Sequence, residues 1–157
     1  MGHPKICSIE QLANTSRQLK KQGKKIVLCH GTFDLLHPGH IRHLERASQI
    51  GDVLVVTLTA DVYVTKGPNR PVFTEALRAE SIAALGCVDY VAICHDVTAV
   101  PAIESACPDF YVKGQDYRKS EDDLTGNIEL EIRTTESCGG KIFFTDEVVF
   151  SSTNLLN

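Results

Sequence analysis

The sequence predicts an α/β fold, a single Rossmann-like domain with a mostly parallel five-stranded sheet flanked by helices. Three observations carry this expectation. Strand-length apolar runs alternate with segments of helical periodicity, which implies right-handed crossovers and parallel strands. Glycines and capping residues punctuate the helical segments. The 157 residues, 43% apolar and 6% aromatic with no tryptophan, suffice for one aliphatic core and not for two ordinary domains.

The elements follow in order. Ser8-Ile9-Glu10-Gln11 reads as a capping box opening a helix to about Lys21, with Gly23 as its stop. Residues 1–24 are therefore expected as an N-terminal helical extension, and 25–157 as the main domain. Lys25–His30 is a buried strand, and Gly39–Ile50 a helix with Ile41, Leu44 and Ala47 on its apolar face. Gly51-Asp52 breaks that helix before the strand Val53–Thr59. Residues 60–73 form a polar loop containing Lys66-Gly67-Pro68 and Arg70-Pro71. Thr74 can cap a helix to Leu85; a strand Val88–Cys94 and a short helix Thr98–Ala106 come next. Phe110-Tyr111-Val112 is a fourth strand ending at Lys113-Gly114. After a polar segment, a helix Asn127–Ser137 stops at Gly139-Gly140, Lys141–Phe144 is the fifth strand, and Val148–Phe150 is a short extended piece.

Composition narrows the function classes. A formal charge of −4 without a basic block disfavours a nucleic-acid partner. No apolar run approaches the roughly 18 residues of a membrane span. The N-terminus lacks the apolar core of a signal peptide, so a cytoplasmic protein is expected. The six cysteines contain no C-x-x-C, and Cys29, Cys87 and Cys94 lie in or beside apolar strand patterns. Buried, reduced thiols are expected in place of a metal or disulfide framework.

The residues Gly31-Thr32-Phe33-Asp34-Leu35-Leu36-His37-Pro38-Gly39-His40 follow the first strand and open a helix. A strand re-entering as a helix through a glycine turn gathers unpaired N–H groups and the positive helix end at one point, which favours phosphate. G-x-G-x-x-G and the P-loop pattern are both absent after this strand, so dehydrogenase and P-loop chemistry have no site. The ten residues resemble the nucleotidylyltransferase signature, a G-x-F-D turn followed by H-x-G-H. From about Lys25 to Leu156 the chain resembles the cytidylyltransferase-like superfamily. Two relatives are most similar. The adenylyltransferase domain of ADP-heptose synthase shares Gly31–His40, Lys66-Gly67, Arg70-Pro71-Val72, Arg78, Lys113–Tyr117 and Ser152-Thr153-Asn154. Glycerol-3-phosphate cytidylyltransferase shares Gly31–His37, Gly39-His40 and Leu44–Ala47. The lysine loop and the K-G-x-D-Y stretch favour the first.

The resemblance implies a transferase that moves a nucleoside monophosphate from ATP or CTP to a sugar phosphate, releasing pyrophosphate. It assigns His37, His40, Lys66 and Arg78 to catalysis: the histidines as donors to triphosphate oxygens, Lys66 as a mobile cation, Arg78 as a substrate-side arginine. Nucleotide binding falls to Gly31, Thr32, Phe33, Asp34 and Gly39, to Lys113, Gly114 and Asp116 around base and ribose, and to Ser151, Ser152 and Thr153 on the β- and γ-phosphates. Gly39 admits the nucleotide closely, and Pro38 fixes the first helical turn. Mg²⁺ is expected on the triphosphate, with no dedicated metal-ligand cluster. A homodimer through loop 60–73 or the nearby helix is expected. Two alternatives stay open: a cytidylyltransferase using CTP and glycerol phosphate or another polyol phosphate, and a non-catalytic nucleotide-binding module.

Each assignment has a plainer counterpart. His37 and His40 could be a turn residue and a cap, Lys66 a solvated loop lysine, Arg78 a partner of Glu75, and Ser151 and Ser152 simple N-caps. Asp34 could form the turn or stand near a metal. His30 could shape the pocket or fill space; the family more often carries Asn or Tyr there. His43 is expected at the surface, and His95 structural or exposed. Two features depart from the family pattern. Segment 118–138 is long and rich in carboxylates (Glu121, Asp122, Asp123, Glu129, Glu131), expected to line the acceptor side. The chain ends a few residues into its last helix, which suggests a stub or one part of a longer polypeptide carrying a sugar-kinase domain.

Overall fold

The computed structural model describes residues 3–64, 67–114 and 127–145. Among these, five strands form one all-parallel sheet: β1 (Ile26–Gly31), β2 (Val53–Thr59), β3 (Tyr90–Cys94), β4 (Phe110–Gly114) and β5 (Lys141–Thr145), in spatial order β3-β2-β1-β4-β5. The helices are α1 (Ile9–Lys21), α2 (Pro38–Ser48), α3 (Glu75–Ala83), α4 (Val100–Ala106) and α5 (Asn127–Ser137). β2 is buried from Val53 to Leu58, as a central parallel strand covered on both faces must be. Side chains alternate between two cores. Val27, Cys29, Leu54 and Val56 meet α2 and α3, whereas Ile26, Leu28, Val53 and Val55 meet α1 and α4.

The strand order reverses between β1 and β4, where open α/β sheets take their ligands. The ladder shows why that place is open. β1 pairs with β2 from Ile26↔Val53 through Gly31↔Leu58, but with β4 only at Val27↔Phe110 and Leu28↔Tyr111. Past Leu28 and Tyr111 the two strands continue without pairing to each other.

Residues before β1 belong to this same body. Ser8 caps α1 reciprocally with Gln11, at 3.0 and 2.8 Å, and Leu12 is fully buried in the second core. Ile6 forms a parallel bridge with Val91 at the outer edge of β3, where Cys7 N–H donates to the Val91 carbonyl at 2.9 Å. Element ends moved for local reasons. β3 starts at Tyr90 and not at Val88, because the Val88 N–H closes a turn on the Leu85 carbonyl and the Asp89 carboxylate accepts the Leu54 N–H at 2.8 Å. Thr98 lies ahead of α4 because its N–H and hydroxyl both bind Asp96. Gly140 is required at the entry to β5, where a Cβ would run into the Pro108 carbonyl.

Candidate active site

Gly31 ends β1, and the chain turns back on itself there. Phe33 adopts a left-handed backbone with φ 52°, and a Cβ on residue 31 would come within 3.1 Å of its ring. Glycine therefore lets Phe33 fold inward, and the ring stands edge-on to His40, centroids 5.5 Å apart. His37 is the N-cap of α2, with Pro38 in the first turn. Its Nδ1 accepts the Gly39 N–H at 3.1 Å, and His40 Nδ1 accepts the His37 N–H at a longer 3.4 Å. The two imidazoles stack with centroids 3.8 Å apart. An amide only donates, so both Nδ1 atoms are acceptors, and in the neutral rings the protons sit on Nε2. The helix cap thus leaves an Nε2–H donor on each ring. His37 is buried and His40 half-buried.

Two clamps hold the following loop against this turn. The Asp34 carboxylate, itself buried, accepts the N–H groups of Val72 (2.8 Å) and Phe73 (3.1 Å) and the Arg70 guanidinium (2.7 Å). Burial opposes ionisation of Asp34, but these donors together outweigh it and hold its pKa below the usual carboxylate value. Asp34 therefore serves the turn. Arg78 is fully buried on α3. Its Nε donates to the Phe73 carbonyl at 3.0 Å, Nη1 to the carbonyls of Thr32 and Thr59 at 2.8 Å each, and Nη2 to Asp61 at 2.6 Å. Four of its N–H directions serve the protein's own acceptors, so Arg78 stands as a strut under the site and as a positioning residue. Glu75, its expected alternative partner, accepts the Asp61 N–H instead at 2.8 Å.

The other face of the β1 end is also polar. His30 Nδ1 lies 2.8 Å from Thr57 Oγ1, and its Nε2 3.3 Å from Thr59 Oγ1. Burial, and then the nearby Lys113 charge, pushes its pKa down to about 3, so the ring is neutral near pH 7. His30 thus ties β1 to β2. Lys113 and Gly114, both half-buried, form the end of β4 across the unpaired opening. Glu131 is not among solvated acceptor-side carboxylates. It is buried, accepts the Tyr111 hydroxyl at 2.6 Å and the Ala99 N–H at 3.1 Å, and lies 3.7 Å from Lys113 Nζ.

His43 corrects a surface expectation. It is buried, and its Nδ1 meets Thr145 Oγ1 at 3.0 Å. The buried side of α2 runs Gly39, His43, Leu44, Ala47, a four-residue stagger that a purely apolar template misses because it scores histidine as polar. His95 is exposed and all six cysteines are free. Lys66, Asp116, Ser151, Ser152 and Thr153 lie outside the described residues, as do Glu121, Asp122, Asp123 and the extended piece Val148–Phe150. The structure brings Gly31, Thr32, Phe33, Asp34, His37, Gly39 and His40 together around one helix start. Asp61, Arg70 and Glu131 are supporting residues whose partners no local pattern announces.

The cytidylyltransferase-like family model matches residues 28–155. Curated relatives include the bifunctional protein HldE of Citrifermentans bemidjiense, 40% identical over 140 residues that cover 88% of this chain and 27% of that protein. HldE of Methylobacillus flagellatus is 40% identical over 152 residues, 96% of this chain and 30% of that protein. HldE of Helicobacter pylori 26695 is 42% identical over 121 residues, 76% of this chain and 25% of that protein. The chain spans 25 to 30% of the length of these relatives. Among solved structures, a lipopolysaccharide core biosynthesis protein from Thermoplasma volcanium GSS1 superposes with a TM-score of 0.64 at 26% identity, over 82% of this chain and 100% of that one. Pantoate-beta-alanine ligase from Francisella tularensis, at 17% identity and a TM-score of 0.67 over 97% of this chain and 72% of that one, shows the shared fold alone. With the family model covering the strand, the signature turn and the sheet around them, the chain belongs to the cytidylyltransferase-like family of nucleotidyltransferases.

Proposed function

We propose that the protein transfers a nucleoside monophosphate from ATP to a sugar phosphate and releases pyrophosphate. The observation that carries this reading is the pair of Nε2–H donors that the α2 cap fixes in His37 and His40. An acceptor phosphate attacks with an oxygen that is already anionic near pH 7, so no general base is needed. The bond formed joins that oxygen to the α-phosphorus; the bond broken releases pyrophosphate. Charge grows on the triphosphate oxygens, and fixed donors meet it without reorganising. His40 and His37 contact those oxygens, with Lys66 closing over them and Ser151, Ser152 and Thr153 holding the β- and γ-phosphates. Lys113, Gly114 and Asp116 receive the nucleoside.

Among the described residues no group of three or more metal-ligating side chains occurs, and Asp34 is already engaged by three donors. Mg²⁺ would enter with the triphosphate as part of the substrate and neutralise its charge. Val62, Val72, Phe73 and Leu77, exposed by 76, 50, 45 and 48%, lie on loop 60–73 and the start of α3 and suit a homodimer contact. Light scattering at micromolar concentration is expected to give twice the chain mass; a monomer mass removes the dimer. The relatives are named bifunctional, and a sugar kinase, fused or separate, is the activity that would supply the acceptor phosphate. Free thiols suit a cytoplasmic setting.

Pyrophosphate release, measured for the four triphosphates against a panel of sugar and polyol phosphates, tests the reading. Turnover with ATP and a sugar phosphate is expected. Turnover with CTP and glycerol phosphate would install the cytidylyltransferase alternative, and nucleotide binding without turnover the non-catalytic one.

A further inference from the structure

Glu131 is a buried carboxylate that the proposed chemistry does not use. It projects from α5 to the space beside β4 and meets three groups there. Tyr111 donates its hydroxyl at 2.6 Å, and the Ala99 N–H donates at 3.1 Å just before α4, which has no side-chain cap of its own. The third is the Lys113 ammonium, 3.7 Å from Oε1 and 5.2 Å from the Tyr111 ring centre. The side chains of Lys113 and Glu131 are 11% and 7% exposed. Two neutral donors fix the carboxylate, and the carboxylate holds the ammonium of this long, flexible side chain beside it. The place matters. β1 and β4 stop pairing at Leu28↔Tyr111, so Lys113 sits on the β4 wall of the opening at the switch point, with neutral His30 on the β1 wall.

We propose that Glu131 is a positioning residue: it holds the Lys113 ammonium in the opening between β1 and β4, and thereby sets how tightly the site holds its anionic nucleotide. This rests on the nucleotidyltransferase reading above. Glu131 would act on the nucleotide only through Lys113 and would touch neither substrate.

A double-mutant cycle on the full chain tests it. Titration calorimetry with ATP and Mg²⁺, and with CTP and Mg²⁺, is run on the wild type, Glu131→Gln, Lys113→Gln and the double variant, beside steady-state kinetics and thermal melts. Glu131→Gln removes the charge and keeps one acceptor oxygen, for the Ala99 N–H, while its amide NH₂ faces the Tyr111 hydroxyl, which can accept. The nucleotide Kd and KM are expected to rise at least five-fold, with kcat and the acceptor KM within two-fold. Lys113→Gln should weaken binding as much, and the double variant no more than Lys113→Gln alone. Glu131→Asp, which restores the charge, should recover part of the loss. Tyr111→Phe, which removes one anchor and keeps both charges, should show a smaller loss in the same direction if Glu131→Gln does not fold. Unchanged affinity in the folded Glu131 and Tyr111 variants, or losses that add in the double variant, would overturn the inference. A wild-type chain that binds neither triphosphate overturns the functional reading itself and this inference with it.

Discussion

A single amide hydrogen decides the state of each signature histidine. Because the N–H of Gly39 occupies His37 Nδ1, the ring is both a helix cap and a donor, and substitutions should separate these roles. His40→Ala is expected to cut kcat by about 10²-fold or more, as loss of one preorganised donor does, with a smaller change in nucleotide affinity. His37→Ala should weaken triphosphate binding and also lower stability by about 1 kcal/mol through the lost cap. His37→Asn, a good cap without the distal N–H, should recover the melting temperature and not the binding. Kinetics beside thermal melts reads both. His30 supplies a pH signature. Its folded pKa of about 3 lies below the unfolded value of about 6.5. Between those values the unfolded chain binds the additional proton, so stability is full above pH 6.5 and falls as pH drops toward 3. Urea titrations from pH 7 to 4 should show this decline in the wild type and a flatter one in His30→Asn. A matching slope in both would exclude His30 as its source.

Between elements, buried polar pairs do what apolar periodicity cannot. Arg78 joins α3 to the carbonyls of Thr32, Thr59 and Phe73 and to Asp61. Arg78→Met would strand those acceptors in the interior and should cost about 3–5 kcal/mol, the range for breaking a buried ionic network. The same variant should raise KM before it unfolds, since the turn after β1 loses its strut; calorimetric melts and KM on one sample check this. A variant that melts like the wild type would show that water replaces the guanidinium. Such pairs explain what the chain reveals when read in one dimension. The capping box at Ser8, the Thr74 cap, the strand runs and the Gly31–His40 turn are contiguous signals, and the structure contains each of them. Asp34 to Arg70 is 36 positions and His43 to Thr145 is 102. No local pattern names a partner that far away, so His43 reads as a surface residue, and the acceptors around Arg78 go unannounced, until the fold brings these groups together.

At the scale of the whole molecule, the segment before β1 is structural. Leu12 is fully buried between the sheet and α4, and burial of such a side chain contributes roughly 1.5–3 kcal/mol. Residues 5–7 also cover part of the β3 edge, which would otherwise offer unpaired N–H and C=O groups to other chains. Removing residues 1–24 is therefore expected to lower the melting temperature and produce concentration-dependent aggregation, followed by light scattering during a thermal ramp. A truncated chain that stays dispersed and melts normally would contradict the role given to this segment. The edge closure also bears on synthesis. Residues 5–7 finish on a strand made much later: the Val91 N–H donates to the Lys5 carbonyl, and the Cys7 N–H to the Val91 carbonyl. A nascent chain that stops short of β3 leaves Ile6 without its strand partner, so Ile6 remains available to chaperones until β3 emerges.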